Sequence, residues 1–171
     1  ADDGKSAAMV EINSETDFVS KGDDFNNFAS AVAAQVLAGN PADIDALMAM
    51  PIDGGESVEE ARKALIAKIG ENTQVRRFVR YETEDQFGLY QHGSRIGVLV
   101  EAKGGDQTLS KDIAMHIAAS RPVCVDEKGV SAKLLEKEKE IFTAQAVESG
   151  KPEAIIEKMV EGRLRKYLAE V

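Results

Sequence analysis

The hydrophobic pattern changes rhythm within the first forty residues. Ala7-Ala8-Met9-Val10-Glu11-Ile12 is a nearly continuous apolar run of strand length, entered from the turn-like Asp2-Asp3-Gly4-Lys5-Ser6. From Phe25 the spacing becomes helical: Phe25, Phe28, Ala29, Val32 and Val36 share a face, and Gly39-Asn40-Pro41 stops the pattern, which predicts a helix over about 23–38. A short helical piece around 43–50 leads into a turn at Pro51-Ile52-Asp53-Gly54-Gly55. Next, Ser57-Val58-Glu59-Glu60 has the form of a capping box and opens a helix through Ala61, Leu65 and Ile69 that ends at Gly70.

Beyond Thr73 the period shortens. Residues 75–81, 88–90 and 95–100 predict three antiparallel strands joined by turns at Thr83-Glu84-Asp85 and His92-Gly93-Ser94. An amphipathic helix follows, with Leu109, Ile113, Ile117 and Ala118 as its expected inner face and its end near Ser120-Arg121-Pro122. The last forty residues carry two apolar stripes, Leu134 to Val147 and Ile155 to Leu168, separated by Ser149-Gly150-Lys151-Pro152-Glu153. Gly at one helix end and Pro at the next start predict two antiparallel helices, a helical hairpin. Val10-Glu11-Ile12 also matches Val100-Glu101-Ala102, and Phe28, Val32, Ala33 and Ala34 match Ile113, Ile117, Ala118 and Ala119. Both halves thus read as strand, loop, helix, the first with a loop five residues longer.

Composition narrows the function. The 171 residues are 43% hydrophobic and 30% charged, with a formal net charge of −9. That charge disfavours an anionic membrane surface or direct nucleic-acid binding and favours a protein partner. Residues 131–171 hold eight Lys/Arg and eight Asp/Glu, so the whole excess lies before them. Arg76-Arg77 and Arg163-Leu164-Arg165-Lys166 read as solvated faces among acids. The single cysteine, Cys124, excludes an internal disulfide, fits a cytoplasmic setting and is expected to be buried. No apolar run reaches membrane-spanning length.

Reaction chemistry is hard to find. His92 and His116 are the only histidines, without further ligands at zinc spacing, and the phosphate-binding glycine motifs and the nucleophile elbow are missing. Glu15 and Asp17 lack an apolar wall to make them an acid–base pair. The chain therefore reads as no enzyme and as needing no cofactor. His116 is expected at the core or its boundary, and His92 in an exposed turn.

One stretch stands out, SETDFVSKGDD over 14–24, where Phe18 and Val19 interrupt a polar loop. Phe18 or Val19 could pack back as a hydrophobic staple with Asp23 or Asp24 as helix cap. Alternatively, Phe18 is an exposed wedge for a partner's pocket, with Asp17 fixing its orientation. Thr16-Asp17-Phe18-Val19, Lys68-Ile69-Gly70-Glu71-Asn72, Tyr90-Gln91-His92-Gly93 and Ala114-Met115-His116-Ile117-Ala118-Ala119-Ser120 resemble the translation elongation factor Ts family, as does the segment from Gln145 to Arg163. The resemblance runs in order through essentially the whole chain.

It implies an α+β fold of two related subdomains with three-stranded antiparallel sheets and helices, plus a projecting antiparallel coiled-coil hairpin. The corresponding divisions are 1–85, 86–130 and 131–171. The family's N-terminal helical domain is expected to be missing, as is the segment beyond the hairpin. The implied function is guanine-nucleotide exchange on elongation factor Tu by binding. Thr16, Asp17, Phe18, Val19, Ile69, Gly70 and His92 are the implied GTPase contacts, Phe18 being the wedge beside the magnesium and phosphate site. A homo-oligomer is compatible with the hairpin. The competing readings are an assembly scaffold without exchange activity and an RNA binder using Arg76, Arg77, Arg163 and Arg165.

Overall fold

The computed structural model describes residues 4–52 and 55–170. Expectations on Asp2, Asp3, Asp53 and Gly54 lie outside the described residues. The chain is mixed α+β and divides after Ala119 into two compact units.

In the first unit, β1 (Ser6–Asn13) is followed by a single helical turn, α1 (Asp17–Ser20), and by α2 (Asp23–Gly39). The helical pattern ends as expected, for Asn40 is left-handed at φ 43° and its N–H bonds the Val36 carbonyl. The short α3 (Ile44–Ala49) and α4 (Val58–Ile69) follow, α4 with the complete Ser57/Glu60 capping box. Phe25, Phe28, Val32 and Val36 of α2 pack with Leu47, Ile52, Val58, Leu65 and Val75 as one core. Apolar burial of that kind is the main stabilising term.

Two antiparallel ribbons complete the unit. β2 (Gln74–Glu82) pairs with β1, and β3 (Gln86–His92) pairs with β4 (Ile96–Ala102). This corrects the expected run of three consecutive paired strands, since among the described residues each sheet has two. The reason is visible at the end of β2. Thr83 N–H bonds the Lys5 carbonyl at 2.9 Å, so the chain stays with the β1 side up to its last residue and then leaves for a separate ribbon.

α5 (Gln107–Ser120) shows a second departure. Its buried residues are Ser110, Ala114 and Ala118, whereas Leu109 and Ile113 of the expected inner face are exposed. Residue size decides this: a Cβ placed on Gly88 would lie 2.2 Å from the Ser110 carbonyl oxygen, so backbone meets backbone and only small side chains fit. The rotation carries His116 to the exposed side, against the placement expected at the core or its boundary.

The second unit holds a 3₁₀ turn (Glu127–Gly129), α6 (Ala132–Val147) and α7 (Glu153–Glu170). Phe142 meets Tyr167 edge-on at 6.5 Å, and Arg163 donates to Gln145 Oε1 at 2.6 Å while lying over the Phe142 ring. Cys124 is half-buried, not buried as expected, because its thiol turns to the Asp126 carbonyl beside the 3₁₀ turn.

Candidate functional site

The SETDFV stretch is built as a one-turn helix. Thr16 is extended and caps α1, its hydroxyl oxygen accepting from Val19 N–H. Isolated helices this short are unstable in water, so the turn must be held from elsewhere. The holding groups come from the end of α4. Glu71 accepts from Thr16 N–H at 3.0 Å and from the Thr16 hydroxyl at 2.7 Å. In the opposite direction, Asn72 N–H donates to Glu15 Oε1 at 3.2 Å. Lys68 pairs with Asp24 at 2.7 Å. Segments more than forty residues apart in sequence are thereby laced together.

This lacing depends on the chain leaving α4 at the right angle. Gly70 supplies the turn, with φ 76° and its N–H on the Ile66 carbonyl. A little further on, Arg62 donates to the Thr73 carbonyl at 2.9 Å while gripping Glu59 with two nitrogens. The Arg62 guanidinium draws the Glu59 carboxyl down to about 2, with Lys63 helping. Because the folded value lies below the ordinary 4.5, the pair contributes fully above about pH 5 and loses its contribution as pH falls toward 2. The pair is partly solvated, so the effect is on the order of 0.5 kcal/mol. Glu59→Gln is accordingly expected to flatten the pH dependence of the thermal midpoint between pH 4.5 and 2, measured by circular dichroism. An unchanged slope would remove Glu59 as its source.

On this frame, Phe18 and Val19 part company. Val19 packs against the core of the unit, whereas Phe18 is 86% exposed. The staple account therefore fits Val19 alone. Its proposed cap is corrected as well: Gly22 is the N-cap of α2, without a side-chain bond, and Asp23 and Asp24 lie in the first turn. Phe18, Val19, Gly22, Asp23, Asp24, Phe25 and Ile69 line a shallow surface depression of about 560 Å³. Asp17 holds Lys21 at 2.8 Å. That ammonium, and more weakly the Arg95 guanidinium, keep the Asp17 carboxyl below the usual range. Arg95 belongs to the β3–β4 turn.

His92 closes β3 in that turn, exposed, with Nδ1 3.1 Å from the Tyr90 hydroxyl. The 16–19 turn and the Ile69–Gly70 end of α4 are thus brought together, whereas His92 is in contact with Tyr90. Sequence reasoning missed Glu71 and Glu15. The available signal was Thr16, whose two donors require acceptors, beside a carboxylate in the Lys68–Asn72 segment.

The remaining features are quieter. Among the described residues no group of three or more His, Cys, Asp and Glu could hold a metal, and no helix is long and apolar enough to cross a membrane. Arg76 and Arg77 both bind Glu11, holding its carboxyl below the ordinary range. Arg163 is engaged with Gln145 and Phe142. These engagements weaken the RNA-binding alternative.

Fold and site together define an α+β protein that presents one aromatic side chain from a braced helical turn. Residues 15–171 match the family model described as Elongation factor TS. The chain is 64% identical to elongation factor Ts of Thioalkalivibrio sulfidiphilus over 173 aligned residues, covering 100% of this chain and 59% of the relative. It is 58% identical to that of Nitrosomonas eutropha, covering 99% and 58%, and 58% identical to that of Methylococcus capsulatus, covering 100% and 59%. This chain belongs to the elongation factor Ts family. It spans 58–59% of the length of these three relatives.

Proposed function

We propose that the chain promotes GDP release from elongation factor Tu in the cytoplasm, acting by binding and forming no covalent intermediate. The observation that carries this reading is Phe18: an almost fully exposed aromatic on a turn held by hydrogen bonds from a distant segment. Exposure of that kind costs solvation and is recovered only when a partner covers the ring. Family membership supplies the partner. Phe18 wedges between helices of the GTPase near its magnesium and phosphate site, Thr16 and Asp17 hold the wedge, and Val19, Ile69, Gly70 and His92 complete the contact.

The mechanism is differential binding. The chain favours the nucleotide-free state of the GTPase, so GDP affinity falls by the coupling free energy between the two sites. Reciprocity then lets incoming nucleotide loosen the factor. The finer architecture belongs to the same proposal: related subdomains over 1–85 and 86–130, each ribbon forming part of a three-stranded sheet, and a coiled-coil hairpin over 131–171. Contacts between Phe142 and Tyr167 and between Gln145 and Arg163 support the hairpin.

The test is the rate at which fluorescent GDP leaves elongation factor Tu, with and without the 171-residue chain, alongside a binding titration. Acceleration is expected. Binding without acceleration would favour the scaffold reading, and neither would defeat both.

A further inference from the structure

We propose that Glu71 is the positioning residue that presents Phe18, an inference that rests on the exchange reading above. Thr16 is the hinge between the two. Its N–H and hydroxyl both donate to the half-buried Glu71 carboxylate, and its carbonyl accepts from the Ser14 hydroxyl and from Ser20 N–H. Every polar atom of Thr16 is therefore engaged. Once the hydroxyl proton is committed to Glu71, the oxygen's lone pairs are left to face Val19 N–H, which starts α1. The order of dependence is Glu71, then the Thr16 rotamer, then the helical turn, then the direction of Phe18.

Core packing cannot replace this chain of bonds. Val19 is the one α1 residue packed on the core cluster, so apolar packing anchors the turn at a single point. Glu71 is placed by Gly70, whose left-handed conformation turns the chain out of α4, and by Arg62 on the Thr73 carbonyl. Glu15 on Asn72 N–H ties the same segments in the reverse direction. Removing the Glu71 carboxylate should therefore lower the fraction of molecules with Phe18 presented while leaving the wedge itself intact. A protein whose competent state is only fractionally populated loses apparent affinity by that fraction and keeps its bound-state behaviour.

The experiment uses the 171-residue chain with Glu71→Ala, Glu71→Gln and Phe18→Ala, and Glu161→Gln in α7 as control. Amide hydrogen exchange by NMR reports the brace in the free protein, and titrated GDP release from elongation factor Tu reports function. Glu71→Ala is expected to speed exchange at the Thr16 amide about tenfold, the loss anticipated for a hydrogen bond to a charged group. Amides of Val32 and Leu47 should not change. The half-saturating concentration for GDP release should rise about tenfold with the maximal rate held within about twofold. Glu71→Gln should fall between, since a carboxamide can accept from one Thr16 donor but meets the other with its own N–H.

An unchanged Thr16 amide overturns the inference. So does a loosened Thr16 amide without a shift in half-saturation while Phe18→Ala still impairs release, or a loss confined to the maximal rate. If the unsubstituted chain does not accelerate release, the exchange reading fails and takes the functional half of the inference with it; if the chain accelerates release but Phe18→Ala has no effect, exchange stands, Phe18 is not the wedge, and the inference is overturned.

Discussion

Phe18→Ala is expected to lower the maximal rate of GDP release from elongation factor Tu by about thirty-fold while the thermal midpoint stays within about 2 °C. The size follows from the usual cost of truncating a central interface aromatic, on the order of 2 kcal/mol. Stability should barely move because the ring is 86% exposed and lies outside the core cluster. Alanine is also a better helix former than phenylalanine, so α1 does not suffer. A midpoint that drops by 5 °C or more would mean that the ring has packing partners and that loss of exchange reports unfolding. A stable variant with the full rate would remove Phe18 as the wedge.

The second large effect concerns the fold. Gly88→Ala is expected to destabilise the first unit by about 3 kcal/mol, at the upper end for overpacking. A Cβ at that position would lie 2.2 Å from the Ser110 carbonyl oxygen and 2.4 Å from its carbonyl carbon. Both are backbone atoms of α5, so no side-chain rotation relieves the contact; the helix must move off the ribbon. Gly162 is the counterpart, a helical glycine in α7 with nothing within 4 Å of an added Cβ. Gly162→Ala should stabilise by about 0.5–1 kcal/mol through the unfolded chain and helix propensity. Urea unfolding distinguishes the pair. If Gly88→Ala unfolds at the same midpoint as the unsubstituted chain, the close approach of β3 and α5 is not the packing determinant described above.

What could be read ahead of the structure was local. The Ser57/Glu60 box, the Asn40 stop and the helical spacing of Phe25, Phe28, Val32 and Val36 each act within a few residues, and each element formed where expected. Strand partners are set by contacts far apart in sequence, and Thr83 bonding to Lys5 has no local signature. The α5 face failed because periodicity weighs hydrophobicity, whereas a glycine on the neighbouring strand selected for size. In the site, the polar residues around it made Phe18 conspicuous, and the ring is exposed. The acids that brace it looked like ordinary loop residues because their partners are 55 and 57 positions away.

The two strand-to-helix connections can be compared directly. Residues 14–22 join β1 to α2, and residues 103–106 join β4 to α5, a difference of five. The longer one holds α1 and most of the candidate site.

Because the brace joins residues 15–16 to residues 71–72, the conformation that presents Phe18 cannot be excised as a linear epitope. A synthetic peptide of the SETDFVSKGDD sequence would lack Glu71 and would sample many shapes, making it a poor competitor for the full factor. A useful mimic must be macrocyclic or grafted, uniting the 14–22 loop with the 68–72 segment on one rigid support. Copying this surface is thus a problem of reproducing two segments distant in sequence, with the phenylalanine carried by one and braced by the other.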